Sequence, residues 1–129
     1  MDIKERFKEA KFIINKIERL EKEINHINYL KKSEIQNSNI SDLIDTVIIT
    51  EYLNKQIEEG KAKFNYYIAE LLYEMDKLDD TEEYDIIFKR YILFKSWREI
   101  EQECNYRIRL VLEIHDRALE KLNNTETTL

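Results

Sequence analysis

Ser96-Trp97-Arg98-Glu99-Ile100-Glu101-Gln102-Glu103-Cys104-Asn105-Tyr106-Arg107-Ile108-Arg109-Leu110-Val111 is the stretch that decides the fold. Ser96 is a helix cap, and Glu99 three residues later completes a capping box. Trp97, Ile100 and Cys104 then fall on one face of a short helix over 96–104. Asn105-Tyr106 is a tight turn. A longer helix over 107–122 follows, with Val111, Ile114, Ala118, Leu119 and Leu122 at helical spacing. Upstream, Asp80 or Thr81 caps a helix over 82–93 that carries Glu82 and Glu83 in its electropositive first turn. Its apolar residues are Tyr84, Ile87, Phe88, Tyr91 and Ile92. Two helices around a tight turn, the second longer, form a helix-turn-helix arrangement.

Further out, residues 2–31 carry the stripe Ile3, Phe7, Ala10, Ile14, Ile17, Leu20, Ile24, Ile27. The step from Ile17 to Leu20 is short and would overwind a coiled coil locally. Residues 33–41 break the pattern and read as a loop, in which Ser38 or Ser41 caps the next helix. The second stripe is Leu43, Val47, Thr50, Asn54, Ile57, Lys61, Phe64, Ile68, Leu71, Met75, Leu78. A helix over 42–79 would be about 57 Å long. Gly60 lies inside it, as a tolerated bend or as the place where a neighbouring helix packs close. Tyr52, Tyr66, Tyr67 and Tyr73 lie partly off this seam and predict a second contact surface, most simply another copy of the chain.

The expected fold is therefore all-α. A long antiparallel helical hairpin, a coiled-coil arm over residues 1–79, precedes a three-helix helix-turn-helix unit over 80–122. Residues 123–129 are expected to be a disordered tail. Composition agrees. Among 129 residues there is one Gly and no Pro, where average usage would supply roughly nine and six. Many-stranded sheets and Gly-rich phosphate loops are excluded by that shortage of turn residues. Charged residues make up 37% of the chain and hydrophobic ones 43%, enough for a core. No run reaches the length of a membrane helix and no signal peptide is expected. The single Cys104 forms no internal disulfide, which fits a reducing, cytoplasmic location.

The residues Arg90-Tyr91-Ile92, Lys95-Ser96-Trp97, Glu99-Ile100, Asn105-Tyr106, Val111, Ile114-His115 and Ala118-Leu119 resemble the C-terminal signature of a family of small phage proteins. That family carries a helix-turn-helix similar to region 4 of sigma-70 factors. The resemblance covers residues 82–122, and the preceding coiled arm, including the Ser41-Asp42 entry to the second helix, resembles the family's N-terminal half more loosely. It implies transcription control in a bacterial host cell, by DNA binding or by contact with the transcription machinery or a phage or host regulator. The base-facing positions it implies are Arg107, Ile108, Arg109, Leu110, Leu112 and Glu113, with Lys95, Arg98 and Arg117 on phosphates.

The sequence departs from the family pattern at three positions. The family usually has Gly where Phe94 stands, a small residue where Glu101 stands, and a Ser cap where Arg107 stands. Phe resists the left-handed conformation that Gly would adopt, and an Arg side chain accepts no hydrogen bond. Residues 1–83 hold 13 basic and 19 acidic side chains, and residues 84–129 hold eight of each. The overall charge is -6, far from the basic balance usual for nucleic-acid binding. Lys89, Arg90, Lys95, Arg98, Arg107, Arg109 and Arg117 are the cations available for phosphates. Ile108, Leu110 and Leu112 make an alternative apolar patch for a protein partner.

No enzyme, cofactor, metal or small-molecule site is expected. Glu23-x-x-His26 is half of a di-iron motif, but His115 has Leu112 rather than Glu three residues before it. Cys104, at a helix end facing the core, reads as a small buried hydrophobe. Trp97 and Tyr106 read as core aromatics.

Overall fold

The structure, a computed structural model, describes residues 2–32 and 45–127. It is all-helical. Among the described residues, five α-helices run in the order α1 (Ile3–Lys32), α2 (Thr46–Met75), α3 (Thr81–Ile87), α4 (Trp97–Cys104) and α5 (Ile108–Thr127), and a π-helical turn, Phe88–Ile92, extends α3. The expected loop over 33–41, its caps Ser38 and Ser41, and Leu43 lie outside the described residues. No helix among the described residues is long and apolar enough to cross a membrane.

Two compact units divide the chain, one of residues 12–65 and one of residues 1–11 with 66–129. The boundaries differ from the expected arm of 1–79 and unit of 80–122. The reason lies in the ends of the long helices. Ile3, Phe7 and Ala10 are buried, and the Phe7 ring stacks on Tyr91 at 4.3 Å between centroids. Asn123 accepts from the Ile3 N–H at 3.0 Å, capping the start of α1 across 120 residues of sequence. Of the disordered tail expected over 123–129, residues 128 and 129 lie outside the described residues. Residues 123–127 continue α5, and the Asn123 side chain has work to do there.

In the unit of residues 12–65, Ile13, Ile17, Leu20, Leu53 and Ile57 are buried. Ile13 takes the deep position expected for Ile14, which is half-buried. On α2 the buried line passes through Leu53 and Gly60 rather than Asn54 and Lys61, both exposed, and Val47 is exposed too. Desolvating an amide or an ammonium costs more than an aliphatic stripe gains, so the helix turns the polar positions outward. Gly60 marks a close approach. A Cβ built there would sit 3.0 Å from Ile17 Cγ1 and 3.5 Å from its Cδ1. Ile27, Ile49 and Leu53 line one groove.

In the other unit, Asp80 caps α3, its carboxylate accepting from the Glu82 and Glu83 N–H groups at 2.9 and 3.2 Å. The Ser96–Glu99 capping box is formed in both directions. Ile86, Ile100, Val111 and Ile114 make the core, with Trp97, Cys104 and Tyr106 packed against it. Trp97 and Tyr106 therefore take the core positions read from the sequence.

Candidate nucleic-acid interface

The turn between α4 and α5 is set by one residue. Asn105 has φ 59° and donates its N–H to the Glu101 carbonyl at 3.1 Å. Asn tolerates the left-handed region better than other non-Gly residues. Tyr106 then donates its hydroxyl to Glu82 at 2.7 Å, which ties the turn to α3 and pushes the phenol pKa upward. α5 begins at Ile108. Arg107 contributes only its carbonyl there, which accepts from the N–H groups of Leu110 and Val111.

The first two turns of α5 project the expected base-facing residues outward. Arg107, Ile108, Arg109, Leu110, Leu112 and Glu113 are all exposed, the Arg109 side chain at 93%. A shallow groove runs beside them, lined by Asn105, Tyr106, Arg107, Arg109, Leu110 and Glu113. Arg98 is exposed on α4. Arg98, Arg107 and Arg109 thus stand in solvent, with, among the described residues, one 4.0 Å approach from Glu113 to Arg109.

The remaining cations are held by the protein itself. Lys95 bonds Glu103, holding that carboxyl below its usual range. Lys89 pairs with Asp85 at 3.0 Å and Glu103 at 3.6 Å. Arg90 donates to the Lys95 carbonyl at 3.0 Å and lies 4.3 Å from the Trp97 ring centre. Arg117 donates to Glu83 at 2.8 Å, and Lys121 reaches both oxygens of that carboxylate at 2.9 and 3.0 Å. Glu83 is fully buried. Sequence reading gave it a place in a helix first turn and missed this role. Arg117 and Lys121 are four apart on α5, but no local spacing ties them to residue 83.

Behind α5 lies a second polar arrangement. His115 is 4% exposed. Its Nδ1 is 3.0 Å from Asp116 and its Nε2 is 2.5 Å from the Tyr91 hydroxyl. An ionised carboxylate only accepts, so Nδ1 carries the proton and Nε2 accepts from Tyr91. Trp97 meets the imidazole edge to face at 4.9 Å. Burial pushes the His115 pKa down and the Tyr91 pKa up.

Phe94 adopts φ 56°, the left-handed conformation that a Phe was expected to resist. The π-helical turn ends on a Leu93 N–H to Phe88 carbonyl bond of 3.0 Å and a Lys95 N–H to Lys89 carbonyl bond of 2.9 Å. Those bonds, together with Lys11 5.9 Å from the Phe94 ring centre, hold a conformation costing about 1–2 kcal/mol in a non-Gly residue. Glu101, where a small residue was expected, is half-buried.

Cys104 is half-buried, with Lys89 Nζ 3.9 Å from its sulfur, and burial pushes the thiol pKa up. Glu23 and His26 are exposed on α1. Among the described residues no group of three or more His, Cys, Asp and Glu is placed to hold a metal ion. No family model, curated protein or solved structure matches the chain.

Proposed function

We propose that this protein is a transcription regulator of the phage type. In this reading α3, α4 and α5 are a helix-turn-helix unit that docks on DNA, and the two long helices are an antiparallel arm that dimerises. The observation that carries the reading is the pairing of a left-handed Asn105 turn with an α5 whose first two turns are exposed and flanked by Arg98, Arg107 and Arg109. A recognition helix enters the major groove by its N-terminal residues. Arg109 suits the paired acceptors of guanine, Ile108, Leu110 and Leu112 suit thymine methyls, and Glu113 suits the cytosine amine. Lys95 and Arg117 reach phosphates only by leaving Glu103 and Glu83, so the three arginines carry the electrostatic attraction. Regulation of this kind belongs in a bacterial cytoplasm and needs no cofactor, metal, small molecule or catalytic residue.

Fluorescence anisotropy with phage-promoter and random duplexes across a salt series tests this. Two phosphate contacts per chain, from Arg98 and Arg107, give log K a slope of about -1.8 against log salt. The triple variant Arg98→Ala, Arg107→Ala, Arg109→Ala is expected to flatten the slope and abolish promoter binding. Unchanged binding by that variant overturns the reading.

A second reading is favoured by one observation. Ile108, Leu110 and Leu112 are 37–41% exposed on one helix of an acidic chain. Exposed apolar side chains of this kind suit a protein partner, either RNA polymerase or a phage or host regulator, on a scaffold that has lost its DNA contact. Leu110→Asp is then expected to abolish capture of that partner by a protein that binds no duplex. Retention of the partner by the folded variant excludes this patch.

A further inference from the structure

The side of α2 turned away from the buried line carries a second stripe. Ile48, Tyr52, Lys55, Glu59, Ala62 and Tyr66 follow one another at steps of four, three, four, three and four, and all six are exposed. Ile48, Tyr52 and Tyr66 are each more than 60% exposed. Steps of four and three are the spacing of a coiled-coil seam. The stripe runs for about 27 Å along the helix. Among the described residues, neither Lys55 nor Glu59 has a partner. Within one helix, Lys followed by Glu four residues on is the less favourable orientation of such a pair.

We propose that this stripe is the seam of an antiparallel, two-fold dimer of the chain, with the axis passing between Lys55 and Glu59. This deepens the dimerising arm of the proposed function and does not rest on its DNA contact. In that register residues whose numbers sum to 114 face each other. Lys55 meets the partner's Glu59, and Glu59 meets the partner's Lys55. Tyr52 packs against the small Ala62 of the partner subunit, and Ile48 against the partner's Tyr66. Each large side chain meets a smaller or flatter one, and the pairing of opposite charges occurs twice in the dimer. Parallel pairing instead puts Lys55 beside the partner's Lys55, and sliding the antiparallel pair by one heptad leaves Lys55 against a tyrosine. A two-fold interface is self-complementary by construction, so every pair counts double.

Sedimentation equilibrium on the full chain over a dilution series tests the seam, with circular dichroism to show that every variant stays helical. The wild type is expected to be a dimer. Lys55→Glu alone and Glu59→Lys alone each place two like-charge pairs on the axis and are expected to raise the dimer Kd by at least about tenfold. The double variant Lys55→Glu, Glu59→Lys is expected to restore the dimer, and the two single variants mixed are expected to form a one-to-one heterodimer. A dimer indifferent to all of these substitutions overturns the register while leaving the dimerising arm standing. A wild-type monomer overturns both, whatever the DNA titration shows.

Discussion

Among the described residues of 12–65 the buried side chains are Ile13, Ile17, Leu20, Leu53 and Ile57, an aliphatic set repeated along two helices. In the unit of residues 1–11 and 66–129, the core also holds a buried carboxylate, Glu83, and a buried imidazole, His115. Arg6 adds an ion pair there with Glu74 at 2.5 Å. A repeated aliphatic seam fixes which faces pack and tolerates sliding by a whole repeat. A buried carboxylate does not tolerate it, because only one register brings Arg117 and Lys121 to it. The comparison suggests that the second unit is specified by its polar contacts and the first by bulk and by one glycine.

The sharpest way to break the comparison is to strip the cations from Glu83. Arg117→Met with Lys121→Met leaves a buried carboxylate uncompensated, which costs about 3–5 kcal/mol. Urea unfolding is expected to show that loss, and the further change Glu83→Met is expected to recover most of it. A loss below about 1 kcal/mol would mean that the carboxylate escapes to solvent and specifies little.

A smaller effect is expected at Gly60. Alanine is favoured over glycine in a helix by about 1 kcal/mol, but the new Cβ meets Ile17 Cγ1 at 3.0 Å. Ile17 is buried, and its branched side chain has one strongly preferred rotamer in a helix, so it yields poorly. Gly60→Ala is expected to cost about 1 kcal/mol in the native background and to gain about 1 kcal/mol when Ile17 is also alanine. A double-mutant cycle by thermal or urea unfolding reads that change of sign.

The smallest effect is expected in the pH dependence of His115. Its pKa is depressed in the folded state, chiefly by burial, from the ordinary 6.5. The unfolded chain therefore binds the proton first. Stability from the neutral imidazole is complete above pH 6.5 and is lost as the pH falls through the folded value. Unfolding curves of wild type and His115→Gln are expected to converge as the solution is acidified. A gap that widens on acidification would mean that Asp116 holds the imidazole charged in the fold.

Local chemistry is what made parts of this molecule readable in advance. Asp80, Ser96 with Glu99, and the Asn105 turn act within three or four residues of themselves, and each sits where its residue type demands. The long stripes were legible as helices but not in register. Val47, Asn54 and Lys61 met the arithmetic of the pattern, while Leu53, Gly60 and Ile13 met the energetics. Three contacts were beyond reach of any spacing argument. Glu83 with Arg117, Tyr91 with His115 and Ile3 with Asn123 join residues 24 to 120 positions apart. For the candidate interface, the sequence located the outward face of α5. It could not show that Lys95 and Arg117 already hold carboxylates, because that depends on which acids the fold brings alongside.

The bond from Ile3 to Asn123 also sets an order of events during synthesis. The first turn of α1 leaves the ribosome long before the residue that caps it. At about 5–20 residues per second, the interval is about 6–24 s. Throughout it Ile3 lacks the Asn123 cap, and for the part of it that precedes residue 91 Phe7 lacks the Tyr91 ring, whereas the contact of Gly60 with Ile17 needs a shorter stretch of chain. Contacts of high sequence separation form late because loop closure must precede them. Contacts within residues 12–65 are thus expected to form before those that join Ile3 to Asn123.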